Sequence, residues 1–165
     1  MAGEKKKAKG EAAEDVRVVT TNRRAWHEYH VLEEFEAGLV LKGTEVKSLR
    51  LGHCNLADSY ASFQRGELFL HNMQIPPYEQ GNRWNVESKR SRKLLLHSAQ
   101  LRRLLGAVTQ KGLTIIPLRV HFSKQHAKVQ IALCKGKHAY DKRETIRRRD
   151  EARELDRVRK AMRGA

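Results

Sequence analysis

From "EYHVLEEFEAGLVLKG" (28–43) onward, short runs of Val, Leu, Phe and Tyr alternate with Gly, Asn and Asp. Segments of this length and punctuation predict short antiparallel strands rather than βαβ units. "SYASFQ" and "ELFLHN" flank Arg65 and Gly66, which fits a two-residue hairpin turn. "TIIPLRVHF" and "KVQIALC" flank a short polar loop and predict a second hairpin, with Pro117 marking an edge or a bulge.

Two stretches switch to a helical period. Thr44 is placed to cap "EVKSLR", where Val46 and Leu49 share a face and Gly52 ends the turn. Ser98 is placed to cap "AQLRRLLGAVTQK"; Leu101, Leu104, Leu105 and Val108 form its apolar face, Arg102 and Arg103 point elsewhere, and Gly112 stops it. Between them, Pro76 to Arg92 has no sustained period and is expected to form a long exposed loop, which in a compact domain is often functional. Residues 1–15 hold almost nothing to bury and are expected to be disordered, leaving one folded domain over 16–140 and a basic tail over 141–165. Short strands with a few helices predict a mainly β fold, a small closed antiparallel barrel of oligonucleotide-binding type with flanking helices.

Charge changes the picture. The 165 residues carry 34 Lys and Arg against 19 Asp and Glu, a net +15 with histidine neutral. The excess clusters in 83–103 and again from Lys124 to the C-terminus, where a merely soluble surface would intersperse its signs. Clustered cations displace condensed counterions from a polyanion, so nucleic acid is the expected partner rather than an anionic membrane. Cys54 and Cys134 lie far apart without a C-x-x-C and are expected to be reduced structural thiols in a cytoplasmic protein. No apolar run is long enough to cross a bilayer, and the N-terminus lacks the apolar stretch of a signal peptide.

Enzyme chemistry finds little support. The chain has no P-loop, dinucleotide-binding or nucleophile-elbow motif. "HEYH" spaces its histidines i, i+3 and, in an extended segment, on opposite faces, which argues against a metal site. In a strand, Glu34 and Glu36 of "EEFE" share a face and Glu33 does not, which argues against a two-metal nuclease cluster. No catalytic residue, metal or cofactor is expected. Binding chemistry fits better: "NRRAWHEYH" interleaves Asn22, Arg23 and Arg24 with Trp26, His27 and Tyr29, joining phosphate contacts to rings that can stack on unpaired bases. Trp26 and Tyr29 are equally compatible with a place in the core. In "SKRSRKLLLH" the cations Lys89, Arg90, Arg92 and Lys93 precede an apolar anchor.

Five motifs, "FEAGLVLKGTEVKSLR", "NLADSYA", "GELFLHNMQIPPY", "RSRKLLLH" and "GKHAYDKR", occur in an order that closely resembles the SsrA-binding protein (small protein B) family, from about Thr20 to the tail. One departure is Ser88, where the family usually carries proline in the basic loop. The resemblance implies binding of the tRNA-like domain of transfer-messenger RNA and its delivery to stalled ribosomes in trans-translation. Alanyl-tRNA synthetase and elongation factor Tu enter through the shared RNA, small-subunit ribosomal RNA is a further partner, and the protein is expected to be a monomer. Carried over by motif, the RNA-facing set is Asn22, Arg23, Arg24, His27, Tyr29, Glu36, Glu45, Lys47, Lys89, Arg90, Arg92 and Lys93. The tail motif implies contact near the decoding centre by Gly136, Lys137, Tyr140, Asp141, Lys142 and Arg143. Beyond it, Ile146, Leu155, Val158 and Met162 make too narrow a stripe to hold a helix alone in water. If fully helical, 141–163 would span about 35 Å, enough to lie along an empty messenger channel. The tail is therefore expected to be disordered alone and helical on the ribosome. The competing reading is a structural or assembly protein of the ribosome, which would share charge, barrel and tail.

Overall fold

The computed structural model describes residues 16–137, 146–155, 157 and 159. Seven strands, β1 (Val16–Thr21), β2 (Tyr29–Leu39), β3 (Tyr60–Gln64), β4 (Glu67–His71), β5 (Arg92–Leu95), β6 (Thr114–Ser123) and β7 (His126–Gly136), form one antiparallel sheet. Three helices flank it: α1 (Arg23–Glu28), α2 (Gly43–Arg50) and α3 (Ser98–Lys111). The order is β1-β6-β3-β4-β5-β2-β7, and β7 also pairs with β6, so each of β2 to β7 has at least two neighbours. Three of these junctions are short: β3 meets β6 at Ala61 and Ile115, β2 meets β5 through Gly38 and Leu39, and β4 meets β5 through Phe69 and Leu70.

The hairpins follow from their turn residues. Arg65 and Gly66 both take positive φ, 51° and 80°, and so join β3 to β4 with a twist that matches the strands. Lys124, at φ 57°, opens the two-residue turn between Ser123 and His126 that joins β6 to β7. Just after Pro117 the β6–β7 register shifts by a bulge, where a proline is tolerated; β6 is nonetheless interior, bordered by β1, β3 and β7.

Alternate residues Phe35, Ala37 and Leu39 of β2 point into a core shared with Leu68, Leu70, Leu94, Val129 and Ile131. Leu49 of α2 and Leu104 of α3 close it. A smaller cluster, Ala25 with Ile116, Leu118, Ala132 and Cys134, lies under α1. Strands β6 and β7 are thus buried on both faces, which is why "TIIPLRV" reads as nearly continuous apolar sequence. Burial pushes the Cys54 thiol up to about 12 and that of Cys134 up to about 11, so both stay protonated near neutral pH.

The helix starts differ from the sequence reading. α2 begins at Gly43 with Lys42 as its N-cap, and the Lys42 N–H donates to Glu45 at 2.8 Å; the Thr44 hydroxyl instead donates to the Trp84 carbonyl at 3.3 Å. α3 is capped at His97, whose N–H donates to Gln100 at 3.3 Å, and Ser98 is its first helical residue. In both, an acceptor three residues on satisfies the orphan N–H, so the cap need not be the hydroxyl residue. Leu105 stays half-exposed on α3, while Gly112 ends the helix at φ 59°.

Candidate nucleic-acid interface

The segment "NRRAWHE" is a short helix, not an extended run. The Asn22 side-chain oxygen accepts from the Ala25 N–H at 3.2 Å, its amide donates to the Pro117 carbonyl at 3.1 Å, and its own N–H donates to Leu118 at 2.7 Å. Asn22 is buried and its polar groups are used within the fold. It therefore braces α1 against β6 and does not face a ligand as expected. Arg23 points to solvent, and Arg24 bridges Glu28 at 2.9 Å and Asp58 at 3.1 Å while remaining largely exposed. Trp26 is half-exposed, and His27 and Tyr29 are half-buried. Tyr29 and Tyr60 line a cleft of about 310 Å³ between α1 and β3, so flat rings and guanidinium groups share one face.

Strand alternation sets Glu34 and Glu36 outward together, as their spacing predicts. Glu36 accepts hydrogen bonds from His121 Nε2 at 2.7 Å and Lys128 Nζ at 2.9 Å. The hydrogen bond from Lys128 holds its carboxyl below the usual range against the opposing effect of burial, and His121 adds to the lowering. An ionised carboxylate only accepts, so Nε2 of His121 carries the proton. Glu36 keeps 49% of its side chain exposed, and with Lys128, Leu95, His97 and Gln100 it lines a pocket of about 340 Å³. These five can accept from a base amino group or ribose hydroxyl, neutralise a phosphate, and pack a ring on Leu95. Lys128, His121, Leu95 and His97 escape a reading of the sequence, because pairing between distant strands brings them to Glu36. Nearby, Glu33 takes Arg103 of α3 at 2.9 Å and Glu34 takes Gln130, so the polar face of α3 meets an acid of β2.

Three expected RNA contacts lie elsewhere. Arg92 has 0% exposure: it donates to Glu45 at 2.9 Å and to the carbonyls of Met73, Arg90 and Ser88. Glu45, 4% exposed, also takes Arg90 through both of its oxygens. Burial alone would raise the Glu45 carboxyl; the hydrogen bonds from Arg90 and Lys42 and the charges of Arg92 and Arg90 outweigh it and hold the group below its ordinary value. Glu45 and Arg92 are interior and Arg90 is committed to them, so this trio pins the basic loop to α2 rather than meeting phosphate. The loop itself is ordered by a 3₁₀ turn (Glu79–Trp84) and by Asn85, whose side chain bonds both the N–H and the carbonyl of Tyr78 at 3.0 and 2.9 Å. Ser88 sends its carbonyl to Ile75 and Arg92, while its buried hydroxyl has no partner among the described residues. Of the remaining cations, Lys47 is exposed over the Tyr78 ring at 5.5 Å, Lys89 is exposed, and Lys93 is paired with Glu67.

At the end of β7, Gly136 pairs with Tyr29, and Lys137 ties itself to α1 twice, N–H to the Glu28 carbonyl at 3.0 Å and Nζ to the Trp26 carbonyl at 3.1 Å. Residues 1–15, Tyr140, Asp141, Lys142, Arg143, Val158 and Met162 lie outside the described residues. Residues 146–155 are helical without a partner chain, where the sequence reading reserved a helix for the ribosome; every side chain in it is exposed, Ile146 and Leu155 included. An Arg147–Glu151 pair at 3.0 Å runs along it. Among the described residues no helix is long and apolar enough to cross a membrane.

The geometry is that of a binding surface, and comparison with known proteins places it. The family model described as SmpB protein matches residues 19–161. The chain is similar to the SsrA-binding protein of Carboxydothermus hydrogenoformans, 53% identical over 145 residues, 88% of this chain and 97% of that protein. It is similar also to that of Pelotomaculum thermopropionicum, 58% identical over 143 residues, 87% and 94% of the two chains. A solved structure described as "tmRNA-SmpB: a journey to the center of the bacterial ribosome" matches with a TM-score of 0.64 at 52% identity, over 78% of this chain and 94% of its own. The chain belongs to the SmpB protein family.

Proposed function

We propose that this chain binds the tRNA-like domain of transfer-messenger RNA and delivers it to stalled ribosomes for trans-translation. The observation that carries this reading is the 52% identity to an SmpB chain described with its transfer-messenger RNA and ribosome, over 94% of that chain. The surface supplies the physics. Arg23 and Arg24 beside Tyr29 offer phosphate contacts and a stacking ring, and the open Glu36–Lys128 pocket offers a polar reader for a base or ribose. With Asn22, Glu45, Arg90 and Arg92 assigned to the fold, the RNA-facing set becomes Arg23, Arg24, His27, Tyr29, Glu36, Lys47, Lys89 and Lys93, joined by Lys128.

The ring of pairings from β6 back to β6 supports a closed barrel of oligonucleotide-binding type as the scaffold. Gly136 and Lys137 then start a tail that enters the decoding centre with Tyr140, Asp141, Lys142 and Arg143 and runs as a helix into the empty messenger channel. A helix as exposed as 146–155 gains little from its own packing, so RNA walls around it are its natural stabiliser. Aminoacylation and GTP hydrolysis belong to alanyl-tRNA synthetase and elongation factor Tu, reached through the RNA, and the chain acts as a cytoplasmic monomer with no catalytic group.

Pull-down of the tagged full chain from its own cells, followed by sequencing of the bound RNA, tests the reading. One dominant RNA with a tRNA-like end is expected. Ribosomal RNA recovered in bulk, unchanged in cells lacking that RNA, would overturn it.

A further inference from the structure

The motif "NLADSYA" supplies none of the residues assigned above to RNA. It puts Asp58, Ser59 and Tyr60 into the lining of the cleft of about 310 Å³ that Arg24, Glu28 and Tyr29 also line, with Ala25 and Ile116 as its apolar part. Charge here runs against the rest of the molecule. In a chain of net +15, two carboxylates of this lining meet one guanidinium. Arg24 donates to Glu28 Oε1 at 2.9 Å and to Asp58 Oδ1 at 3.1 Å, so each acid spends one oxygen on it and has a second to offer. Ser59 is only 2% exposed, and its hydroxyl has no hydrogen-bond partner among the described residues. A buried hydroxyl left unpaired is uncommon in a folded protein, and here it belongs to the wall of a cleft.

The unused groups define what would fit. Carboxylates only accept, a serine hydroxyl has lone pairs that accept, and the donors of Arg24 and Asn22 are already engaged within the fold. The ligand is therefore a donor. The faces of Tyr29 and Tyr60 attract positive charge, and the Tyr60 ring is held in place by His71 at 5.2 Å. An alkylammonium group has three donors, a full charge and no acceptor, which answers all of these demands. A phosphate would meet the carboxylates and be repelled. A bare divalent ion seeks six or more oxygens and gains nothing from Ala25 and Ile116, whereas methylenes pack there. The positive charge of the whole chain does not decide against a cation, because charges beyond about 8 Å are screened at physiological salt. A volume at the lower end of small-ligand sites, roughly 300 Å³, suits a slender chain. We infer that this cleft binds an aliphatic polyamine, with an ammonium group taken by Glu28, Asp58 and Ser59 and the methylene chain lying on Ala25 and Ile116. The inference stands apart from the proposed function and is tested without RNA.

The test is calorimetric titration of the full, RNA-free chain with spermidine at physiological salt, where one saturable site is expected. Glu28→Gln/Asp58→Asn removes both charges and should weaken binding by about tenfold or more. Gln still accepts from Arg24, and Asn tolerates the positive φ of 59° at Asp58, so the backbone is kept. Ser59→Ala should weaken binding about threefold without lowering the melting temperature, since the folded chain loses no hydrogen bond. Tyr60→Ala should weaken it about threefold and Tyr60→Phe should not, because the ring face is what acts. Were the acid double variant to melt early, the Ser59 and Tyr60 variants carry the same test. Absence of saturable binding, unchanged affinity in the acid variant, or an equal loss in Glu79→Gln/Glu87→Gln, which removes the same charge elsewhere, overturns the site. Displacement of spermidine by an equal concentration of Mg²⁺ also overturns it, as would equally tight binding of Nα-acetyl-lysine amide, which would assign the cleft to a lysine side chain of a protein. None of these results bears on the binding of transfer-messenger RNA.

Discussion

Glu36 and Glu45 are each held by two nitrogen-donor side chains, and the two clusters differ in what surrounds them. Around Glu36, His121 is buried but Lys128 and half of the carboxylate remain open to solvent beside a pocket. Around Glu45, Arg92 and the carboxylate are sealed, and every remaining Arg92 donor meets a backbone carbonyl. The same pairing of charges can therefore be an instrument of binding or of folding, and access decides which. A sealed cluster commits its charges to the chain, because removing one partner leaves a bare ion in a medium that solvates it poorly. An open one loses little when a partner goes, since water replaces it.

Removing Glu45 breaks the comparison most directly. Glu45→Ala strands the Arg92 guanidinium and should cost about 3–5 kcal/mol of stability, read by urea unfolding. A loss under about 1 kcal/mol would show that the cluster is solvated in the free protein. Glu36→Ala should leave stability within about 1 kcal/mol and lower transfer-messenger RNA affinity roughly tenfold at fixed salt. Unchanged affinity would remove Glu36 from the interface.

Acid offers a graded version of the first test. Both carboxyls titrate below their ordinary 4.5 in the folded chain, so the unfolded chain takes up protons first as pH falls. Their stabilisation is complete above about 4.5 and is lost as pH drops through the folded values. Melting temperature should be flat with respect to these groups above that pH and decline below it. The decline should be shallower in Glu45→Gln than in Glu36→Gln; equal slopes would mean that the sealed cluster contributes no more than the open one. The smallest effect is at Ser88, whose buried hydroxyl bonds to nothing among the described residues beside Arg92. Ser88→Ala should be neutral or stabilise by up to about 1 kcal/mol, and a loss of more than that in thermal melts would reveal a hidden partner for the hydroxyl.

The two hairpins, the Pro117 bulge, the body of α3 and the outward face of Glu34 and Glu36 are legible because each is written in turn residues or in a short period. What was missed needed either a cap or a long-range pair. α1 is six residues long, too short for a period, although Asn22 three residues before Ala25 is a cap signal. Arg92 reads as surface because it is charged, yet alternation along β5 places it on the face of buried Leu94, and that signal is local. Glu45 likewise shares a helical face with Ser48 and Leu49. No such signal marks Lys128 or His121 as partners of Glu36, because strand register is decided by the whole sheet.

The double tie of Lys137 to α1 also has a mechanical side. Two hydrogen bonds from one residue to the last turn of one short helix act as a fixed hinge plate. The end of β7 is therefore held at an angle set by the helix that carries Arg23 and Arg24. A tilt of that helix, whether from a ligand or from loss of the Asn22 brace, re-aims Lys137 with it, as a rudder follows its tiller.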